Sequence, residues 1–273
     1  MLNGNTKTVP WSSRRTALGV AGCALLGLGG CSYQLVSPPA RMISLETAKT
    51  AAPGETVVAA HGARYGSVFD PGVAIASAGV RRGVSDQIEV DADASWARVT
   101  TDQSPDIDRN VFAGRVGAKL SNQGGWLAAI AGVGGGYSPA AGRFAALDAG
   151  IVLSYPNCYA VPFGNATIFG SQPIGAKQVD FHSSDGSIYT SDTASFTYGT
   201  GLSVGVEIPL DHARCRQGLT PARIQLGLSA YHLTPSEGAI VTTSNASDGG
   251  TTTDTRGGGY GVGGLAVGIE VPF

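Results

Sequence analysis

The sequence has little charge and little charge bias. Lys, Arg, Asp and Glu make up 14% of its 273 residues, and the net charge is −2, so no basic stripe marks a nucleic-acid surface. It also lacks long apolar runs. After Cys31 none approaches the ~20 residues of a membrane-spanning helix. Helical periodicity is almost absent beyond residue 30, which argues against a soluble α/β enzyme. No Gly-x-Ser-x-Gly elbow, P-loop or Cys-x-x-Cys occurs. His61, His182, His212 and His232 are scattered without metal-ligand spacing, so neither a metal nor a cofactor is expected. Gly132-Val-Gly-Gly-Gly136 is not followed by a helical pattern and does not read as a dinucleotide fingerprint.

What the chain has in excess is glycine, 41 residues, and strict alternation. In the last ten residues Leu265, Val267, Ile269, Val271 and Phe273 alternate with Gly264, Ala266, Gly268, Glu270 and Pro272. That period of two makes a strand with one apolar face and one small or polar face. From about residue 55 the chain breaks into segments of this kind, parted by turn residues. A membrane-crossing chain without apolar helices must be a closed barrel, because only closure satisfies every backbone group in lipid. The expected fold is therefore all-β: an antiparallel up-and-down transmembrane β-barrel of about ten strands, with eight or twelve as alternatives. Gly201–Leu210 aligns without a gap on Gly264–Phe273, so two strands are expected to face alike and to run down to the same rim.

The pattern assigns faces. Glu89, Asp91, Asp93, Arg115, Lys119, Asp148, Glu207, Arg223 and Glu270 fall on the inward rows. Buried charges need partners, and a barrel this narrow is mostly filled by side chains. The expectation is a paired electrostatic ladder in a largely filled polar lumen; a constricted conduit for small polar solutes is the alternative. Trp96, Trp126, Tyr137, Tyr155, Tyr198 and Phe273 fall near strand ends, where interfacial girdles belong. Pro162 lies where a barrel offers no edge, so a bulge or a late strand start is expected there. Cys158 and Cys215 fall in the turns after the sixth and eighth strands, on one side of the membrane. In an oxidising compartment a Cys158–Cys215 disulfide is expected.

Residues 1–30 read as a signal peptide, with Lys7, Arg14 and Arg15 before the apolar stretch Ala17–Leu28. It ends Leu28-Gly29-Gly30-Cys31, which resembles the lipobox of bacterial lipoproteins. That resemblance implies acylation of Cys31, and the non-acidic Ser32 implies sorting to the outer membrane. Residues 31–54 then read as a lipidated tether and 55–273 as the barrel. The terminus, with Gly268, Val271 and Phe273, resembles the closing strand of bacterial outer-membrane β-barrels, whose assembly machinery is implied to read it. Outer-membrane lipid and the barrel-assembly and lipoprotein-sorting machineries are the implied partners, with the N-terminus periplasmic and any surface ligand unassigned. His232-Leu233-Thr234, with Glu237 nearby, is similar to the His-x-Ser and distant acid of outer-membrane lipid A deacylases, but Thr replaces Ser. A structural or surface-interaction role without catalysis is the leading expectation, and a lipid-modifying hydrolase the least favoured.

Overall fold

The computed structural model describes residues 37–66, 72–100, 110–139, 142–175, 178–182, 188–192, 195–236, 239–244, 251–256 and 259–273. The signal peptide, Cys31 and the turn tips expected at Asp70-Pro71, Ser184-Asp185-Gly186 and Asp248-Gly249 lie outside them.

Apolar residues alternate with small or polar ones through most of the barrel segments, and these are strands accordingly. They are β1 (Thr56–Gly66), β2 (Gly72–Gly83), β3 (Ile88–Thr100), β4 (Asn110–Ser121), β5 (Leu127–Ser138), β6 (Gly142–Ser154) and β7 (Val161–Ile174). Then come β8 (Gln178–His182), β9 (Ile188–Asp192), β10 (Thr197–Pro209), the single helical turn α1 (His212–Arg216), β11 (Arg223–Pro235), β12 (Ala239–Ser244), β13 (Thr251–Arg256) and β14 (Tyr260–Pro272). Ten of the strands close in the order β1-β2-β3-β4-β5-β6-β7-β10-β11-β14, all antiparallel, with β14 returning to β1. Phe273 N–H donates to Thr56 C=O at 2.7 Å, so the last residue is stitched to the start of the first strand.

The four remaining strands prolong β7, β10, β11 and β14 beyond one rim as a separate sheet ordered β8-β9-β12-β13. The two longest excursions of the chain thus leave from the same end, called here the loop rim. The other end, with short turns and the entry to β1, is the turn rim.

A barrel strand of about 12 residues, rising ~3.3 Å each and tilted at the usual ~45°, climbs about 28 Å. That is close to the ~25 Å apolar band of transmembrane barrels. The exterior matches. Leu265 is 67% exposed while Ala266 beside it is 1% exposed, and the same alternation runs through β3, β4, β6, β10 and β11. Trp96, Tyr137 and Tyr198 ring the exterior towards the loop rim; Trp126, Tyr155 and Phe273 ring it at the turn rim, all exposed. Pro162 causes no bulge: β7 begins one residue before it, and its ladder with β10 runs unbroken from Val161↔Glu207 to Ser171↔Thr197. The missing N–H thus falls at a strand end, and the Pro162 carbonyl accepts from Tyr155 N–H at 3.0 Å.

Of residues 37–54, expected only to connect an anchor to the barrel, 39–51 occupy its lumen. Ala40, Met42, Ile43, Leu45, Glu46, Thr47, Ala48, Thr50 and Ala51 are all buried. The segment is extended and irregular, without helix or ladder. Its Ala/Thr-rich composition carries no period, because a chain surrounded on all sides has no preferred face.

The plugged lumen as the candidate functional site

All nine charges assigned to the inward rows do face the lumen, and each has an opposite partner. They come from β3 (Glu89, Asp91, Asp93), β4 (Arg115, Lys119), β6 (Asp148), β10 (Glu207), β11 (Arg223) and β14 (Glu270). Arg115 grips Asp148 with two bonds, Nε to Oδ2 at 2.7 Å and Nη2 to Oδ1 at 2.8 Å. Its other arm reaches Asp91, with Asp93 3.8 Å away. Lys119 Nζ lies 2.8 Å from Glu89. Arg223 pairs with Glu207 at 2.9 Å and approaches Glu270 at 3.9 Å.

Three charges missing from that assignment join the parts into one chain. Arg81 on β2 bonds Glu89 at 3.3 Å and also Glu270. Its inward position follows from the parity of Val80 and Arg82, both exposed, so alternation could have found it. Arg41 and Glu46, on the luminal segment, pair with each other. Arg41 also bonds Asp91 at 3.2 Å, and Glu46 lies 3.7 Å from Lys119. The pairs therefore run continuously from Asp148 through Arg115, Asp91, Arg41, Glu46, Lys119, Glu89, Arg81, Glu270 and Arg223 to Glu207. No local pattern marks Arg41 or Glu46; only the tertiary structure does.

The repeated strand end has a physical role here. β10 and β14 flank β11, so Glu207 and Glu270 approach the same two residues from opposite sides. Gln225 Nε2 donates to Glu207 at 3.3 Å and to Glu270 at 3.1 Å, and Arg223 completes the clamp. His61, on β1, bonds Gln225 at 3.1 Å.

Glycine makes the room. A β-carbon on Gly132 would collide with the Arg115 guanidinium, and one on Gly134 would press on Ala40 of the luminal segment. The glycines of β5 thus make room both for Arg115 and for the luminal segment. Gly268 lies under the His61 ring, where a side chain would collide, so it has a packing reason independent of any assembly signal. Val271 and Phe273 face outward.

The segment is held by more than charge. Ala51 N–H donates to Glu89 at 2.6 Å, Ala48 N–H to Ser154 Oγ at 3.1 Å and Asn165 Nδ2 to the Ser44 carbonyl at 2.8 Å. Lys119 Nζ donates to the Thr47 carbonyl at 3.3 Å. These bonds satisfy backbone groups that burial would otherwise orphan.

Towards the loop rim the lumen changes character. Tyr65, Ile75, Ala97, Phe144, Phe169, Tyr231, Leu233 and Val262 form one buried apolar cluster with Met42, Ile43 and Leu45. The expected polar lumen thus carries its charges on the turn side and in its middle, beside a small apolar cluster of Ala48, Ala128, Ile130 and Val152, and is mainly apolar towards the loop rim. A cavity of about 50 Å³ remains among the described residues, bordered by His61, Ser77, Asp93 and Ser95. That is room for a few water molecules.

At the turn rim Cys158 and Cys215 form the expected disulfide, with Cα atoms 5.6 Å apart, joining the β6–β7 turn to α1. Beside it, Glu55 accepts from Thr220 N–H at 2.9 Å and from Arg214 at 2.7 Å. Burial pushes the Glu55 carboxyl up, but the bonds from Thr220 and the Arg214 charge outweigh it and hold the group below the usual carboxylate range. His232 is on the exposed outer face of β11, its ring over Gly259. Thr234 follows on the same face, and Glu237 lies outside the described residues. No group of three His, Cys, Asp or Glu side chains suited to a metal is found among the described residues.

No protein-family model matches the chain, and no curated protein is similar to it in sequence. Among solved structures, the outer-membrane protease OmpT from Escherichia coli is similar over 86% of this chain and 100% of its own, at 11% identity and a TM-score of 0.41. Neisserial surface protein A is similar over 80% of this chain and 96% of its own, at 12% identity and a TM-score of 0.33. The outer membrane protein OprG from Pseudomonas aeruginosa covers 83% of this chain and 99% of its own, at 9% identity and a TM-score of 0.36.

Proposed function

We propose that this is a bacterial outer-membrane β-barrel closed by its own N-terminal segment, with a structural or surface-interaction role rather than transport. Three features support the membrane. The exterior is an apolar band, aromatic residues ring both of its edges, and every barrel strand is paired on both sides. By the usual asymmetry of such barrels, the short turns face the periplasm and the long β8-β9-β12-β13 excursion faces outward. An export signal over residues 1–30, acylation of Cys31, and dependence on the barrel-assembly and lipoprotein-sorting machineries belong to the same reading.

The observation that carries the closed-lumen reading is the burial of residues 39–51 inside the barrel, cross-linked to its wall by Arg41, Glu46 and the backbone bonds to Glu89, Ser154 and Lys119. A solute would have to displace both the segment and its ion pairs. Planar-bilayer recording tests this: the purified protein is expected to show no steady openings. Steady conductance would instead establish the alternative, a narrow channel for small polar solutes. Catalysis forms no part of the reading, in keeping with the position of His232 on the outer face. Envelope lipids that change on deleting the gene and are not restored by the His232→Ala variant would establish the hydrolase.

A further inference from the structure

We propose that the chain runs outward through its own barrel, so that Ser37 opens towards the loop rim and the cell surface and not towards the periplasm. This rests on the reading above, which sets the turn rim on the periplasmic side. It reverses the expectation of a periplasmic N-terminus.

The order of contacts along the segment carries it. Ala52 N–H donates to Thr220 Oγ1, and Thr50 Oγ1 to the Asp86 carbonyl; both partners are in turn-rim connections. Lys119 and Glu207, two residues inside β4 and β10, contact Thr47. Asn165, four residues up β7, bonds Ser44. Tyr65, one residue from the loop-rim end of β1, bonds the Met42 carbonyl. Ala40 stands against Gly134, four residues below the top of β5. Read from Ala52 back to Met42, the contacts climb from the turn rim to near the loop rim, and Ala40 stays in the upper half of the barrel.

Length agrees. The stretch from Ala52 to Ser37 can extend about 50 Å at ~3.3 Å per residue, more than the ~28 Å of a barrel strand's climb. From Ala40 to Ser37 the chain can add about 10 Å, roughly the height left above Gly134. The segment leads directly into β1, which is paired with β14.

Accessibility in intact cells tests this. A short epitope inserted just before Ser37 is compared with one in the loop at 245–250 and one in the turn at 217–219, each in the full chain. The N-terminal and loop epitopes are expected to bind antibody on intact cells, and the turn epitope only after permeabilisation. N-terminal binding that appears only on permeabilisation, while the loop epitope binds on intact cells, overturns the inference alone. A loop epitope that also needs permeabilisation overturns the membrane orientation and the inference with it. Because an epitope can block threading, Ser37→Cys probed with a membrane-impermeant maleimide is the second measurement, with the wild-type chain as background. Labelling of intact cells above that background supports the inference, and labelling only after permeabilisation opposes it.

Discussion

The two ends of the lumen differ in where its charges lie. On the turn side a chain of ion pairs crosses from β6 to β10 by way of the luminal segment; on the loop side Phe144, Leu233, Val262 and their neighbours pack as an ordinary apolar core. The charged half fixes one arrangement, because each carboxylate has a specific cation within reach. The apolar half is indifferent to register and seals by volume. The segment fits both: Arg41 and Glu46 serve the charged half, Met42, Ile43 and Leu45 the apolar one.

The largest effect is expected where a charged link is cut. Arg115→Met leaves Asp148 buried without a cation and should cost about 3–5 kcal/mol, read as a lowered temperature for the gel-mobility shift of the detergent-extracted barrel. Adding Asp148→Leu should recover part of that loss, since Asp91 keeps Arg41. If the double variant is no better than the single one, the ion pair is not what holds this half.

Cys158→Ser tests whether the charged half relies on the turn-rim bridge. Loss of a disulfide closing a long loop should cost about 2–4 kcal/mol, and reductant should act equally on the wild type and not at all on the variant. On the apolar side Leu233→Ala should cost about 2–3 kcal/mol, with no dependence on salt or pH. A salt-dependent loss there would erase the distinction between the halves.

The smallest effect is at Glu55, on the turn rim. Its folded pKa lies below the ordinary value, so its contribution is fully present above the ordinary carboxylate range and is lost as pH falls through the lowered value. Acidification below about pH 4 should therefore lower the transition temperature slightly, and Glu55→Gln should flatten that acid limb. An unchanged acid limb in the variant would remove Glu55 from the account.

Alternation was the most legible signal. It gave the faces of β3, β4, β10, β11 and β14, and with them Glu89, Arg115, Glu207 and Glu270 as inward charges. It failed where glycine occupies the inward row. β5 looked patternless because Gly132 and Gly134 leave space for groups from elsewhere in the chain, Arg115 and Ala40. The same parity places Arg81 inward. That β8, β9, β12 and β13 join as one sheet beyond the rim is not written in any single segment.

By itself the sequence determined the wall: a period of two is local, and each strand carries its own record of which side meets lipid. It also placed Cys158 and Cys215 in neighbouring turns, because strand count alone sets the side. Only the tertiary structure decided what fills the barrel. Residues 37–54 carry no period, and their positions follow from charges and gaps contributed by strands far along the chain. Such a fit exists only once the wall has closed around them.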